Sequence, residues 1–216
     1  MGRIITVKGI GRASAPADQV ILNMELKTLH RDYTQCMSIA DSKCALLQAT
    51  LAKDGFSADD IKTADFKIRQ DYHYGKNSAK IMDDWECHHS LKVEFPLDIP
   101  RLQQILMNIA SSGVQLEFSV DFTLSDGNAL QEEMLADAAA NARKKAEILC
   151  AASGVKLGDL LEINYSWGEL SIISDTEYHG DFDYMALPAK NCYPGSAFTP
   201  EDIDIKDTAT FVWAIE

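Results

Sequence analysis

Apolar residues recur along this chain in two rhythms, one helical and one alternating, and the switches between them mark out its elements. Between 128 and 157 the rhythm is helical: Leu135, Ala138, Ala142, Ala146 and Leu149 fall on one stripe made mostly of alanine. Asn128, with Gln131 three residues on, reads as the capped start. Glu132, Glu133 and Asp137 near that start, and Arg143, Lys144 and Lys145 in the second half, suit the helix dipole. An alanine stripe has no chemistry of its own, but it lets a helix lie close on a sheet. Ser153-Gly154-Val155 ends the helix, with glycine supplying a left-handed residue and valine folding back on the last turn. A helix over 31–54, with Tyr33, Met37, Ala40, Cys44, Leu47 and Leu51 on its face, closes the same way at Gly55-Phe56. Another is capped by Asp98, carries Pro100 in its first turn and a Leu97–Leu102 staple, and stops at Ser112-Gly113-Val114.

Alternation with period two marks the strands. Ile5 and Val7 form a short one ending at Gly9-Ile-Gly11. Val20, Leu22, Met24 and Leu26 share one face of a strand over 18–29. Phe66, Ile68 and Tyr72 alternate next, and a polar loop around Gly75-Lys-Asn77 turns the chain into 85–95. There Trp85, Cys87, His89, Leu91, Val93 and Phe95 point one way. Val114, Leu116, Phe118, Val120, Phe122 and Leu124 give the clearest alternation. A strand near 160–167 and a last one through Ile203, Ile205, Ala209, Phe211 and Trp213 complete the set. Strand, helix, strand, strand, helix, strand over 18–124 is the split βαβ order (βαββαβ). One apolar and one polar face per strand predicts a mainly antiparallel sheet with helices mostly on one face. The expected fold is therefore one α+β domain over 1–216, whose sheet is extended by the terminal strands and the long helix. An irregular insertion interrupts it at about 168–200. A structureless stretch of that length is functional or disordered as a rule. Its aromatics Tyr178, Phe182, Tyr184, Tyr193 and Phe198 favour packing on something, and they are the candidates for a subunit interface.

Composition narrows the function. A formal net charge of −13, from 33 acids against 20 basic residues, repels phosphate backbones, so nucleic acid and anionic membrane are poor partners. No apolar run approaches the roughly 20 residues of a membrane span. Five scattered cysteines without a Cys-x-x-Cys pair read as small core residues of a reducing compartment. With a strand pattern from the first residues instead of a signal peptide, the expectation is a cytoplasmic protein, or a periplasmic or exported one if a leader was removed.

Candidate chemistry is sparse. Gly9-Ile-Gly11-Arg-Ala-Ser14 follows a strand, but Pro16 and a second strand come after it, where a dinucleotide site needs a helix N-terminus. Cys87 and His89 are the metal candidates by residue type and strand spacing, yet they share the core-facing side with Leu91 and Val93. Paired acids (Asp59-Asp60, Asp83-Asp84, Glu132-Glu133, Glu201-Asp202) sit at turns and helix starts, where capping and solvation explain them. Asp181 and Asp183 in the aromatic stretch would serve a hydrolase only if they converged in a pocket. No nucleophile elbow, His-Glu-x-x-His or Walker-type loop is present, so no catalytic residue and no cofactor is assigned.

Several segments together carry a resemblance: Ile5-Thr-Val-Lys-Gly-Ile-Gly11 running to Pro16-Ala-Asp18, Ile61-Lys-Thr63-Ala-Asp65-Phe-Lys-Ile68, Phe122-Thr-Leu-Ser125-Asp126, Ala142-Arg-Lys-Lys-Ala-Glu-Ile-Leu149 with Gly154-Val-Lys-Leu-Gly158, and Thr199-Pro-Glu-Asp-Ile-Asp-Ile205. In this order they resemble the SIMPL-domain family across nearly the whole chain. The resemblance implies periplasmic or surface antigens, a relative that forms a large hollow oligomer, and members linked to oxidative-stress defence. The family has no established catalytic residues to carry over. Glu201 stands where relatives commonly have glycine, and 168–200 matches least. The reading is a non-enzymatic, self-associating protein, a scaffold or stress-linked interaction module. The alternative is a small-ligand- or metal-binding protein using Cys87, His89 and the 168–200 stretch.

Overall fold

A computed structural model describes residues 2–74, 80–166, 168, 170–182 and 199–216. The elements run β1 (Ile4–Ala15), β2 (Gln19–His30), α1 (Tyr33–Lys53), β3 (Lys62–Tyr74), β4 (Lys80–Pro96), α2 (Ile99–Ser112), β5 (Leu116–Thr123), α3 (Asn128–Ala152), β6 (Leu157–Asn164), β7 (Tyr178–Phe182) and β8 (Ile203–Ile215). This is the expected α+β class with antiparallel pairing. The terminal strands, however, do not extend the split βαβ sheet. They form a separate sheet of order β1-β8-β6, and the other sheet is five-stranded, of order β3-β4-β2-β5-β7. The chain accordingly divides into a central unit (Asp18–Phe122, Thr176–Thr199) and a terminal unit (Met1–Ala17, Thr123–Asp175, Pro200–Glu216).

In the central unit the alternation does what it predicts. Leu22 and Met24 of β2, Cys87, Leu91 and Val93 of β4, and Val120 and Phe122 of β5 are buried, and so are Leu102, Ile105, Leu106 and Ile109 of α2. Asp98 caps α2, accepting from the Arg101 N–H at 3.0 Å. Helix α1 is turned slightly from its expected face. Cys36, Ala40, Leu47 and Leu51 are buried, while Tyr33 stays on the rim with its ring edge-on to Trp85 at 5.1 Å. The cause is the start of the helix: Asp32 caps it through the Gln35 N–H, which leaves Tyr33 in the first turn. Within the stretch read as irregular, Tyr178–Phe182 forms β7 and pairs with β5, Leu116 opposite Phe182 and Val120 opposite Tyr178. The turn around Gly75-Lys-Asn77, together with Trp167, lies outside the described residues.

The terminal unit is built on α3. Its stripe Leu130, Met134, Ala138, Ala142, Ala146 and Cys150 is buried against β1 and β8. β1 does not end at Gly9-Ile-Gly11 but runs through both glycines to Ala15. The reason is contact between main chains. A Cβ on Gly9 would fall on the Ala138 carbonyl and against the Ala142 methyl, and one on Gly11 would fall on the Met134 carbonyl. The start of α3 also differs from the sequence reading. Gly127 is the N-cap with no side-chain bond, and the Asn128 N–H donates to Asp126 Oδ1 at 2.9 Å, so the upstream aspartate serves the first turn. All three helix stops are as expected, with Gly55, Gly113 and Gly154 at φ of 88°, 77° and 70°. In the first and last, the following N–H reaches back, Phe56 to Leu51 O and Val155 to Cys150 O.

Two glycine substitutions separate these roles. Gly154→Val meets no neighbouring atom, so only the left-handed backbone is strained, and unfolding free energy should fall by roughly 1–2 kcal/mol. Gly11→Val adds bulk where helix backbone already lies and should cost about 2–3 kcal/mol or more. Urea unfolding checks both, and equal losses would show that the helix–strand contact is looser than described.

Candidate functional site

Each sequence candidate has a definite place. Cys87 is fully buried between α1 and the sheet, packed with Cys36 and Ala40, and burial raises both thiols above their ordinary pKa. The Cys36 thiol donates to the carbonyls of Trp85, at 3.4 Å, and Thr28, at 3.7 Å. Such thiols are poor nucleophiles and poor ligands. His89 lies two residues on along the same face, half-buried. Burial lowers its pKa, its Nε2 is 3.2 Å from Thr63 Oγ1, and Phe66 meets its ring edge-on at 5.0 Å. Among the described residues no group of three or more His, Cys, Asp or Glu side chains is placed to hold a metal ion.

Of the aromatic candidates, Tyr178 and Phe182 are half-buried in β7 and close on Phe118 of β5, Phe182 stacked at 5.0 Å and Tyr178 edge-on at 5.8 Å. Gly180 faces the Phe118 ring between them, where a side chain would collide. These two therefore pack on their own sheet. Tyr184, Tyr193, Phe198 and Asp183 lie outside the described residues. Asp181, on the opposite side of β7, borders a groove of about 450 Å³ with Glu25, Lys27, Lys43, Glu117 and Phe182. Lys43 donates to the Lys27 carbonyl at 2.7 Å, and partial burial lowers its pKa.

Beside this groove is a charge cluster that sequence reasoning missed. It sits on the sheet face away from the helices. Glu86 of β4 is buried, with Lys27 Nζ 2.6 Å from Oε1, and Arg69 Nη2 and Nε 2.7 and 2.8 Å from Oε2. His88 puts Nε2 3.2 Å from the same carboxylate and Nδ1 on Glu25. Hydrogen bonds from Lys27, then Arg69, pull the Glu86 carboxyl down to about 2, and the Glu86 bond raises Lys27 in turn. The register makes the cluster, since Arg69 lies opposite Glu86 and both Lys27 and Lys67 lie opposite His88. Only strand pairing brings β2, β3 and β4 together here, so one strand's pattern could not reveal it. The arrangement holds an anion firmly between two cations, which makes it a clamp on three strands.

A third feature is the contrast between the two edges of the terminal sheet. On β1, α3 fills the outer edge: Ile10 N–H donates to Asn141 Oδ1 at 3.1 Å, Arg12 N–H to Asp137 Oδ2 at 3.0 Å, and Lys145 Nζ to the Lys8 carbonyl at 3.1 Å. On β6, every residue from Asp159 to Asn164 is exposed, Leu160, Leu161 and Ile163 by 46%, 58% and 54%. Sequence reading placed the strand near 160–167 but not its exposure.

Because the Glu86 pKa is lower in the fold than its ordinary 4.5, its contribution is complete above that value and is lost as pH falls toward 2. Glu86→Gln should therefore cost roughly 2–3 kcal/mol at pH 7, with the deficit closing between about pH 4.5 and 2. Urea midpoints across that range provide the check. A deficit that does not change with pH would assign the loss to packing instead of charge.

The family described as SIMPL, protein of unknown function (DUF541), matches residues 5–213. The chain is also similar to the 26 kDa periplasmic immunogenic protein of Brucella melitensis and that of Brucella abortus, each 24% identical over 163 residues. That match covers 74% of this chain and 65% of each relative, so the chain spans just under two thirds of their length. With the family match reaching from β1 to β8, the chain belongs to the SIMPL family.

Proposed function

We propose that this protein is a non-enzymatic, self-associating SIMPL-domain protein, a scaffold or interaction module of the kind that stress-linked functions use. The observation that carries the reading is the apolar edge of β6, with Leu160, Leu161 and Ile163 all exposed on a strand that ends its sheet. Folded proteins cover or charge such edges, as this one does at β1, because an open edge recruits another strand. The relatives' names include the word periplasmic, which favours the exported form over the cytoplasmic expectation. No helix among the described residues is long and apolar enough to cross a membrane.

A second reading, a small-ligand protein, draws on the groove of about 450 Å³ between Lys27, Lys43, Leu116 and Phe182. The metal version of that reading, through Cys87 and His89, has a direct check. Protein purified without chelator should contain less than a tenth of an equivalent of any transition metal, and stoichiometric metal would restore that version.

Size-exclusion chromatography with light scattering tests the main reading. At micromolar concentration the mass should be that of several copies, against 23.9 kDa for one chain. A monomer across the concentration range would overturn it.

A further inference from the structure

Four strands end the two sheets: β1 and β6 in one, β3 and β7 in the other. Side chains of α3 fill the β1 edge, and β7 is only five residues long. The remaining two are long enough to matter and opposite in character. β6 carries Asp159 and Glu162 among its leucines and isoleucine, and no lysine, arginine or proline. β3 is exposed from Lys62 to Lys67. It presents Phe66, 44% exposed, between acidic Asp65 and basic Lys67, with Lys62 and Arg69 further along.

A second β6 offers the acidic β6 edge no cation in any register, and with Leu160 opposite Leu161 it sets Asp159 against Glu162. The β3 edge supplies cations, Lys62 and Lys67. The unlike pair attracts. When Glu162 of one copy stands opposite Lys67 of a second in antiparallel register, Ile163 stands opposite Phe66, so a charge pair and an apolar pair form side by side. A cation offered by the unlike edge and absent from β6 is what selects β3 over a second β6 as its partner.

We infer that the acidic, apolar β6 edge of one copy receives the basic β3 edge of a second copy as an added antiparallel strand. This rests on the self-association proposed above and names the surfaces that carry it. Each copy has one edge of each kind, so the contact is head-to-tail and each added copy leaves a β6 and a β3 for the next. Glu162 accepts from Asn164 Nδ2 at 2.9 Å on its own strand, which presets the carboxylate on the exposed edge.

Charge exchange across the contact tests the idea by light scattering. A β6 variant, Glu162→Lys with Ile163→Lys, and a β3 variant, Phe66→Glu with Lys67→Glu, change only exposed side chains. Each alone should fall to the mass of one chain, with circular dichroism unchanged. An equimolar mixture should regain the wild-type mass, because every contact in it pairs lysine with an acid. Wild-type mass retained by either variant alone, or a mixture that stays monomeric while the wild type assembles, overturns the β6–β3 contact and leaves self-association standing. A monomeric wild type overturns both. If a double variant does not fold, Glu162→Lys and Lys67→Glu singly make the same test: each should dissociate at concentrations where the wild type holds, and together they should reassociate.

Discussion

Contact between the main chain of a helix and that of a strand is the constraint on which the terminal unit depends. α3 can rest on β1 only because alanines at 138 and 142 face glycines at 9 and 11, and no larger pair would leave the two backbones in reach. That approach is also what lets Asp137, Asn141 and Lys145 reach the outer edge of β1 and satisfy its N–H and carbonyl groups. Small residues on the buried stripe and polar ones beside it thus do two jobs from one helix: they close the core and they shut an edge.

Among the described residues nothing comparable guards β6. The helix lies over β1 and β8, and the third strand is exposed from Asp159 to Asn164. In the central unit the covering is on a face instead of an edge. α1 and α2 shield the apolar side, while the other face is tied together by Glu86 under Lys27 and Arg69, and by Asn23 donating to Asp121 at 2.8 Å. Burying a carboxylate is costly unless every lone pair is met, and here two cations meet it at hydrogen-bond distance.

Much of this was legible in the residues. The period-two runs of β2, β4 and β5 gave their buried faces, because burial on one side leaves a direct mark on sequence. The three glycine stops were readable for a similar reason, since a left-handed residue followed by an apolar one has few other uses. What escaped notice depends on partners distant in sequence. Gly9 and Gly11 look like a strand end until α3 is laid on them. Leu160, Leu161 and Ile163 look like core until it is known that the helix does not reach them. Glu86 looks like any polar position until β2 and β3 flank it. Tyr178 and Phe182, read as interface residues, also lie on a strand and meet Phe118 of their own sheet, which the sequence hid because alternation over five residues is too short to separate a strand from a loop.

The pairing of β1 with β8, Ile4 opposite Ala214 and Ala15 opposite Ile203, has a consequence for synthesis. Four of the central strands and both of their helices are complete once residue 123 is made, so that unit can fold from neighbours in sequence. β1, by contrast, gains its pairing strand only when β8 is made, although its glycine-lined face can already lie against α3. Pairing across so long a separation in sequence closes a larger loop than any strand pairing in the central unit, so the terminal sheet is the part whose closure costs the most chain entropy.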